Sequence, residues 1–137
     1  NKQIAVFKRQ IHFSEEFHLP VILHCVKAWN ELKVLKRELN PRQTWIFHGF
    51  TKSTLLEEVL KEGIYISIGN AILTSPTLQS ALKKIPLDRL FLETDDAECS
   101  IEDIYAKVSE LKNIPLSQLQ NQLVENFKNV FTKWITG

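Results

Sequence analysis

Methionine is missing altogether from the 137 residues, glycine appears only 4 times and cysteine twice. Each shortage excludes something. Without methionine the chain cannot begin as translated, and Asn1 opens directly into a helical pattern, so a piece of a longer protein is expected. The few glycines include no Gly-x-Gly-x-x-Gly or Walker arrangement, which argues against a nucleotide-cofactor protein. Cys25 and Cys99 cannot build a disulfide framework and lack the spacing of a metal-ligand pair; reduced thiols and a cytoplasmic location are the expectation. Neither sign of charge dominates: Lys plus Arg is 17 against 16 for Asp plus Glu. Bulk charge therefore gives no reason for non-specific nucleic-acid binding, although a locally positive cleft is compatible with it. No apolar run approaches the ~18 residues that span a bilayer, and Asn-Lys-Gln does not open a signal peptide. No membrane partner is expected.

What the chain does have is a repeated short apolar run with a chemically capable residue at its end. Val21-Ile22-Leu23 leads into His24-Cys25, and Trp45-Ile46-Phe47 leads into His48-Gly49. Residues 64–68, apolar except for Ser67, lead into Gly69, and Leu90-Phe91-Leu92 leads into Glu93-Thr94-Asp95-Asp96. Near-continuous apolar runs are the mark of strands covered on both faces of a parallel sheet. They start roughly 20 to 25 residues apart, enough for a crossover helix each.

Helical patterns fill the intervals. Phe7, Ile11 and Phe17 are expected to share one face of a first helix ending near Leu19-Pro20, and a second is expected between Trp29 and Leu39. Thr54-x-x-Glu57 reads as a capping box opening a helix with Leu55, Leu56, Val59 and Leu60 on one face. A short helix is expected over 76–84. Ser100-x-x-Asp103 and Ser117-x-x-Gln120 open two closing helices, the last with Leu119, Leu123, Phe127, Val130, Phe131 and Trp134 on one face. The whole chain, 1–137, reads as a single partial α/β domain. On pattern alone its four parallel strands fit either a doubly wound sheet or half of a barrel.

Both folds bind ligands beyond the carboxyl ends of their strands, and those ends carry His24, His48 and Asp95. Imidazole and carboxylate are ligands for Zn and Mn, and carboxylate also suits Mg. Each histidine taken singly reads equally as a hydrogen-bonded structural residue; only the shared strand-end position joins the three. His12 and His18 lie away from any strand end and read as surface or capping residues. Cys25 follows His24 and so points to the opposite face, and Cys99 has no visible base. Lys33, Lys36, Arg37 and Arg42, mixed with Glu31 and Glu38, read as a solvated helix face. Lys27 and Lys52, a few residues past the two histidines, are candidates to meet a substrate phosphate or are plain surface lysines.

Together these segments resemble the successive motifs of TatD-type metal-dependent deoxyribonucleases: Pro20-Val21-Ile22-Leu23-His24-Cys25, Phe47-His48-Gly49-Phe50, Gly63-Ile64-Tyr65-Ile66-Ser67 and Phe91-Leu92-Glu93-Thr94-Asp95. The opening helix around Phe7 and the closing Asn126-x-x-x-x-Phe131 are similar to that family too, so the resemblance covers the chain in order and spacing. It implies the second half, strands five to eight, of an amidohydrolase-like (β/α)8 TIM barrel, with crossover helices and two C-terminal helices. It implies two divalent metal ions (Mg, Mn or Zn) in the intact fold and hydrolysis of DNA phosphodiester bonds. His24, His48 and Asp95 match metal ligands, Asp95 is also a candidate catalytic base, and Glu93 matches a position that orients ligands from behind.

The chain departs from the family at Val26-Lys27, where an Arg-Asp pair is common, and around Lys52, where a glycine is common. A full barrel needs about 250 residues, and the family's first-strand His-x-His and fourth-strand Glu are absent. Activity is therefore expected only once an N-terminal half of the barrel, or a second copy of the chain, completes it. The alternatives are a non-catalytic half-barrel, or a related metal-dependent hydrolase acting on a substrate other than nucleic acid.

Overall fold

The computed structural model describes residues 2–24, 29–94 and 100–131. Four strands, β1 (Val21–Leu23), β2 (Trp45–Phe47), β3 (Tyr65–Ile68) and β4 (Leu90–Leu92), form one parallel sheet in the order β1-β2-β3-β4. Helix α1 (Lys2–Phe17) precedes them. Helices α2 (Trp29–Leu39), α3 (Leu56–Lys61) and α4 (Pro76–Leu82) lie in the successive crossovers, and α5 (Ile101–Lys112) and α6 (Leu116–Val130) follow β4. Spatial order equal to chain order, with no switch point, separates a segment of barrel wall from a doubly wound sheet.

Register and burial show which face of the sheet is covered. Leu23, Phe47, Ile66 and Leu90 are paired in a row across the strands, and all are buried in the core with Val21, Trp45 and Ile68. This face meets the helices through Leu32, Val59, Leu82, Ile104 and Leu119. Alternate residues point the other way. There Ile22 is exposed and Tyr65 and Phe91 are half-buried, their rings 5.5 Å apart. That second face is the one a complete barrel would enclose.

The helices stand where the periodicity places them, with local corrections. In α1 the buried stripe is Phe7, Ile11 and Ser14, and Phe17 is exposed. At 3.6 residues per turn Phe17 lies about 80° round from Phe7, and it packs instead against Phe13. Phe127 fails for the same reason: α6 buries Leu119, Leu123 and Asn126, leaving Phe127 exposed against Phe131. Trp134 lies outside the described residues.

Ser100 caps α5 by accepting from Asp103 N at 3.1 Å, as its spacing predicts. The Thr54 box does not form, because Thr54 falls inside a 3-10 turn (Ser53–Leu55) that leads into α3 without a side-chain cap. Ser117 does not cap α6 either; Pro115, with its φ fixed near the extended region, occupies that position. Among the described residues no helix is long and apolar enough to cross a membrane.

The basic run of α2 is more than a solvated face. Lys33 Nζ bonds Glu58 at 2.6 Å, Arg37 bonds Glu62 at 2.9 and 3.0 Å, and Lys36 Nζ donates to the Glu62 carbonyl at 2.7 Å. These contacts tie α2 to α3 and the residue that closes it.

Candidate metal centre at the carboxyl ends of the strands

Parity along the strands builds the site. His24 lies two residues past Ile22, His48 two past Ile46, Ser67 two past Tyr65, and Glu93 two past Phe91. All four therefore continue the face that the helices leave uncovered. The ladder runs on past the strand ends to hold them there. His48 N donates to Leu23 O at 2.8 Å, and Glu93 N donates to Ile68 O at 3.0 Å.

The side chains meet. The rings of His24 and His48 stand edge to face with centroids 4.6 Å apart. His48 Nδ1 is 2.5 Å from Glu93 Oε2, which also accepts from Ser67 Oγ at 2.5 Å. The other oxygen, Oε1, accepts from Gly49 N at 2.8 Å. Gly49 has φ +60°, the left-handed conformation that glycine adopts without cost, and this turns its N–H onto the carboxylate. His24 is exposed, whereas the side chains of His48 and Glu93 keep 25% and 15% of their exposure. The pair is thus reachable from solvent yet braced from behind.

His48 Nδ1 faces a carboxylate, the arrangement that metal-binding histidines favour, in which the other ring nitrogen serves as the ligand atom. A neighbouring imidazole of the same type fits a divalent ion. Among the described residues no three His, Cys, Asp or Glu side chains are arranged to hold a metal by themselves. Asp95, the third ligand expected from sequence, lies outside the described residues, as does Lys27. Lys52 is exposed on the loop after His48. His12 and His18 stay away from the strand ends, and His18 (φ 55°) closes α1. Sequence reasoning brought His24, His48 and Glu93 to one place but gave Ser67 no role. The available signal was a hydroxyl interrupting an otherwise apolar strand.

Comparison with known proteins bears on the family and the fold. Residues 1–132 match the family described as TatD related DNase. The chain is 27% identical to an uncharacterized metal-dependent hydrolase, YabD, of Bacillus subtilis, over 94% of this chain and 57% of that protein. It is 32% identical to the 3'-5' ssDNA/RNA exonuclease TatD of Erwinia tasmaniensis, over 83% of this chain and 46% of that one. Among solved structures, the Escherichia coli TatD homologue YjjV superposes with a TM-score of 0.83 at 22% identity, over 96% of this chain and 57% of that one. A TatD family hydrolase from Entamoeba histolytica gives 0.78, also at 22% identity, over 93% and 56%. The chain thus spans about half the length of the curated relatives it matches. By sequence along nearly its whole length, and by the fold just described, the chain belongs to the TatD related DNase family.

Proposed function

We propose that this chain supplies the C-terminal half of a metal-dependent hydrolase that cleaves nucleic-acid phosphodiester bonds. The observation that carries the reading is the convergence of His24 and His48, backed by Glu93, on one face at the carboxyl ends of β1, β2 and β4. Relatives described as metal-dependent hydrolases and as a single-stranded DNA/RNA exonuclease support it.

His24 and His48 would hold divalent metal, with Asp95 as the third ligand and as the base that takes a proton from the attacking water. When bound, such ions supply Lewis acidity and an acidified water. Glu93 keeps the His48 ring in place while substrate enters. Lys52, exposed on the loop after His48, and Lys27 are placed in sequence to pair with backbone phosphates.

Activity also requires the rest of the barrel wall. A parallel strand such as β1 has backbone groups directed at a neighbour it lacks among the described residues, and beside it lies a groove whose lining includes Val6, Arg9, Gln10, Phe13, Ile22 and His24. The N-terminal half of the same barrel is the occupant this edge suits, and a second copy of the chain is the alternative.

His24→Ala and Asp95→Ala in the full-length protein test the assignment. Each is expected to lower turnover of single-stranded DNA by at least about a hundredfold with Mg, Mn or Zn present, the scale of losing a group used only in the transition state. Turnover unchanged in both variants would overturn it.

A further inference from the structure

Ser67 is 5% exposed, lies between the fully buried Ile66 and Ile68, and has no part in the chemistry proposed above. A buried hydroxyl in a strand is costly unless it is bonded. This one donates to Glu93 Oε2, the same oxygen that faces His48 Nδ1. Three donors from two neighbouring segments therefore converge on a single carboxylate: His48 Nδ1 and Gly49 N after β2, and Ser67 Oγ within β3. The space for that carboxylate is shaped as well. A Cβ at Gly69 would lie 3.4 Å from Glu93 Oε1 and 3.5 Å from its Cγ, so the backbone there is already in van der Waals reach of the carboxylate.

We propose that Ser67 is a positioning residue. Through Glu93 it locks His48 as the Nδ1–H tautomer, in which Nε2 carries the ring's lone pair. The inference rests on the reading of His48 as a metal ligand. Its physical basis is the rotational freedom of a carboxylate. Oε1 is anchored by one backbone N–H, and Oε2 must be fixed separately if it is to meet Nδ1 along a productive line. Ser67 supplies that second anchor from a rigid strand. The bond is charge-assisted and largely shielded from water, so its loss is felt at His48 and not merely at Ser67.

The test uses the full-length protein with histidine ring nitrogens labelled by 15N and metal removed. Two-bond proton–nitrogen correlations report the tautomer of His48 directly. Wild type and Ser67→Thr, which keeps the hydroxyl, are expected to show Nδ1 protonated and Nε2 bare. Ser67→Ala is expected to show mixed tautomers and to bind Zn about 10- to 100-fold more weakly by calorimetry. Restoration by Ser67→Thr separates positioning from a simple loss of packing. If Ser67→Ala does not fold, Ser67→Cys, close in size with a much weaker donor, answers by the same two readouts. A wild-type His48 protonated on Nε2, or a Ser67→Ala protein with native tautomer and native Zn affinity, overturns the proposal. Failure of the wild type to take up Zn would instead sink the metal reading, and the tautomer signal, which needs no metal, would still decide the role of Ser67.

Discussion

One step along each strand crosses between two different materials. Leu23, Phe47, Ile66 and Leu90 form a paired row that is buried to 1% exposure or less. The residues immediately after them, His24, His48, Ser67 and Phe91, turn to the opposite face. On the first face the neighbours are apolar except for buried Asn126 and the Lys36 side chain over Trp45, and the helices close over it. On the second, Ile22 is 39% exposed and polar groups are spent on one another at the strand ends. The contrast teaches that stability and chemistry are divided here by alternation rather than by region. The strands can be short and fully apolar outward while their inward positions carry imidazole, hydroxyl and carboxylate.

The largest expected effect would break that contrast if it failed. Phe47→Ala, at 1% exposure, should cost about 3–5 kcal/mol in denaturant unfolding. Ile22→Ala, one strand away on the other face, should cost under about 1 kcal/mol in this chain alone, since surface substitutions away from special features rarely cost more. In a completed barrel Ile22 would be enclosed, and the same change should then cost about 2–5 kcal/mol, the range for truncating a buried isoleucine. Equal costs for Ile22→Ala in the chain and in the full-length protein would refute closure over this face.

A second, smaller effect sharpens the comparison at the edge where α6 meets the sheet. Asn126 is fully buried within an otherwise apolar layer. Its Nδ2 donates to Leu87 O at 2.9 Å and Leu90 O at 2.8 Å, and its Oδ1 accepts from Gln122 at 2.9 Å. The helix therefore fastens the backbone that enters β4, three residues before Glu93. Asn126→Ala would take its donor from the buried Leu90 carbonyl and the half-buried Leu87 carbonyl, and a loss of about 1–3 kcal/mol is expected from thermal or denaturant melts. A loss below a few tenths would mean that packing alone holds α6.

Much of this was legible from the chain. Apolar runs bounded by turn residues located the strands, and their common ending in His, Gly or acidic residues located the site, because alternation and register are local rules. What escaped was whatever depends on a partner distant in sequence or on fine angular position. Phe17 and Phe127 are each about 80° off the buried stripe, a difference that a list of apolar spacings tolerates but a packed interface does not. Asn126 and Ser67 look dispensable until the carbonyls and the carboxylate they serve are placed beside them. Glu93 meets His48 only because β3 lies between β2 and β4. The positions of Asp95 and Lys27 lie outside the described residues, so their roles stand on the sequence and on the proposal above.

The smallest expected effect belongs to the outer surface of the helical layer, where charges are used for fastening and not for chemistry. The hydrogen bonds from Arg37 hold the Glu62 carboxyl below its usual range against the opposing effect of burial, with Lys36 and Lys33 adding attraction. Lys33 does the same for Glu58. A carboxyl whose folded pKa is depressed contributes stability that is fully present above its unfolded value, about 4.3 for Glu. That contribution is lost as pH falls through the lower, folded value. The wild-type melting temperature should therefore drop more steeply than that of Glu62→Gln as pH is lowered from about 5 toward 3. The gap at neutral pH should be a few degrees at most, because Arg37 is largely exposed and such pairs are weak. Raising salt to about 1 M, where screening acts over about 3 Å, should narrow the gap further. Identical acid limbs for wild type and Glu62→Gln would mean that the Arg37–Glu62 pair is incidental to the fold, and that Lys33–Glu58, the Lys36 bond to the Glu62 carbonyl and the shared apolar core hold α2 beside α3.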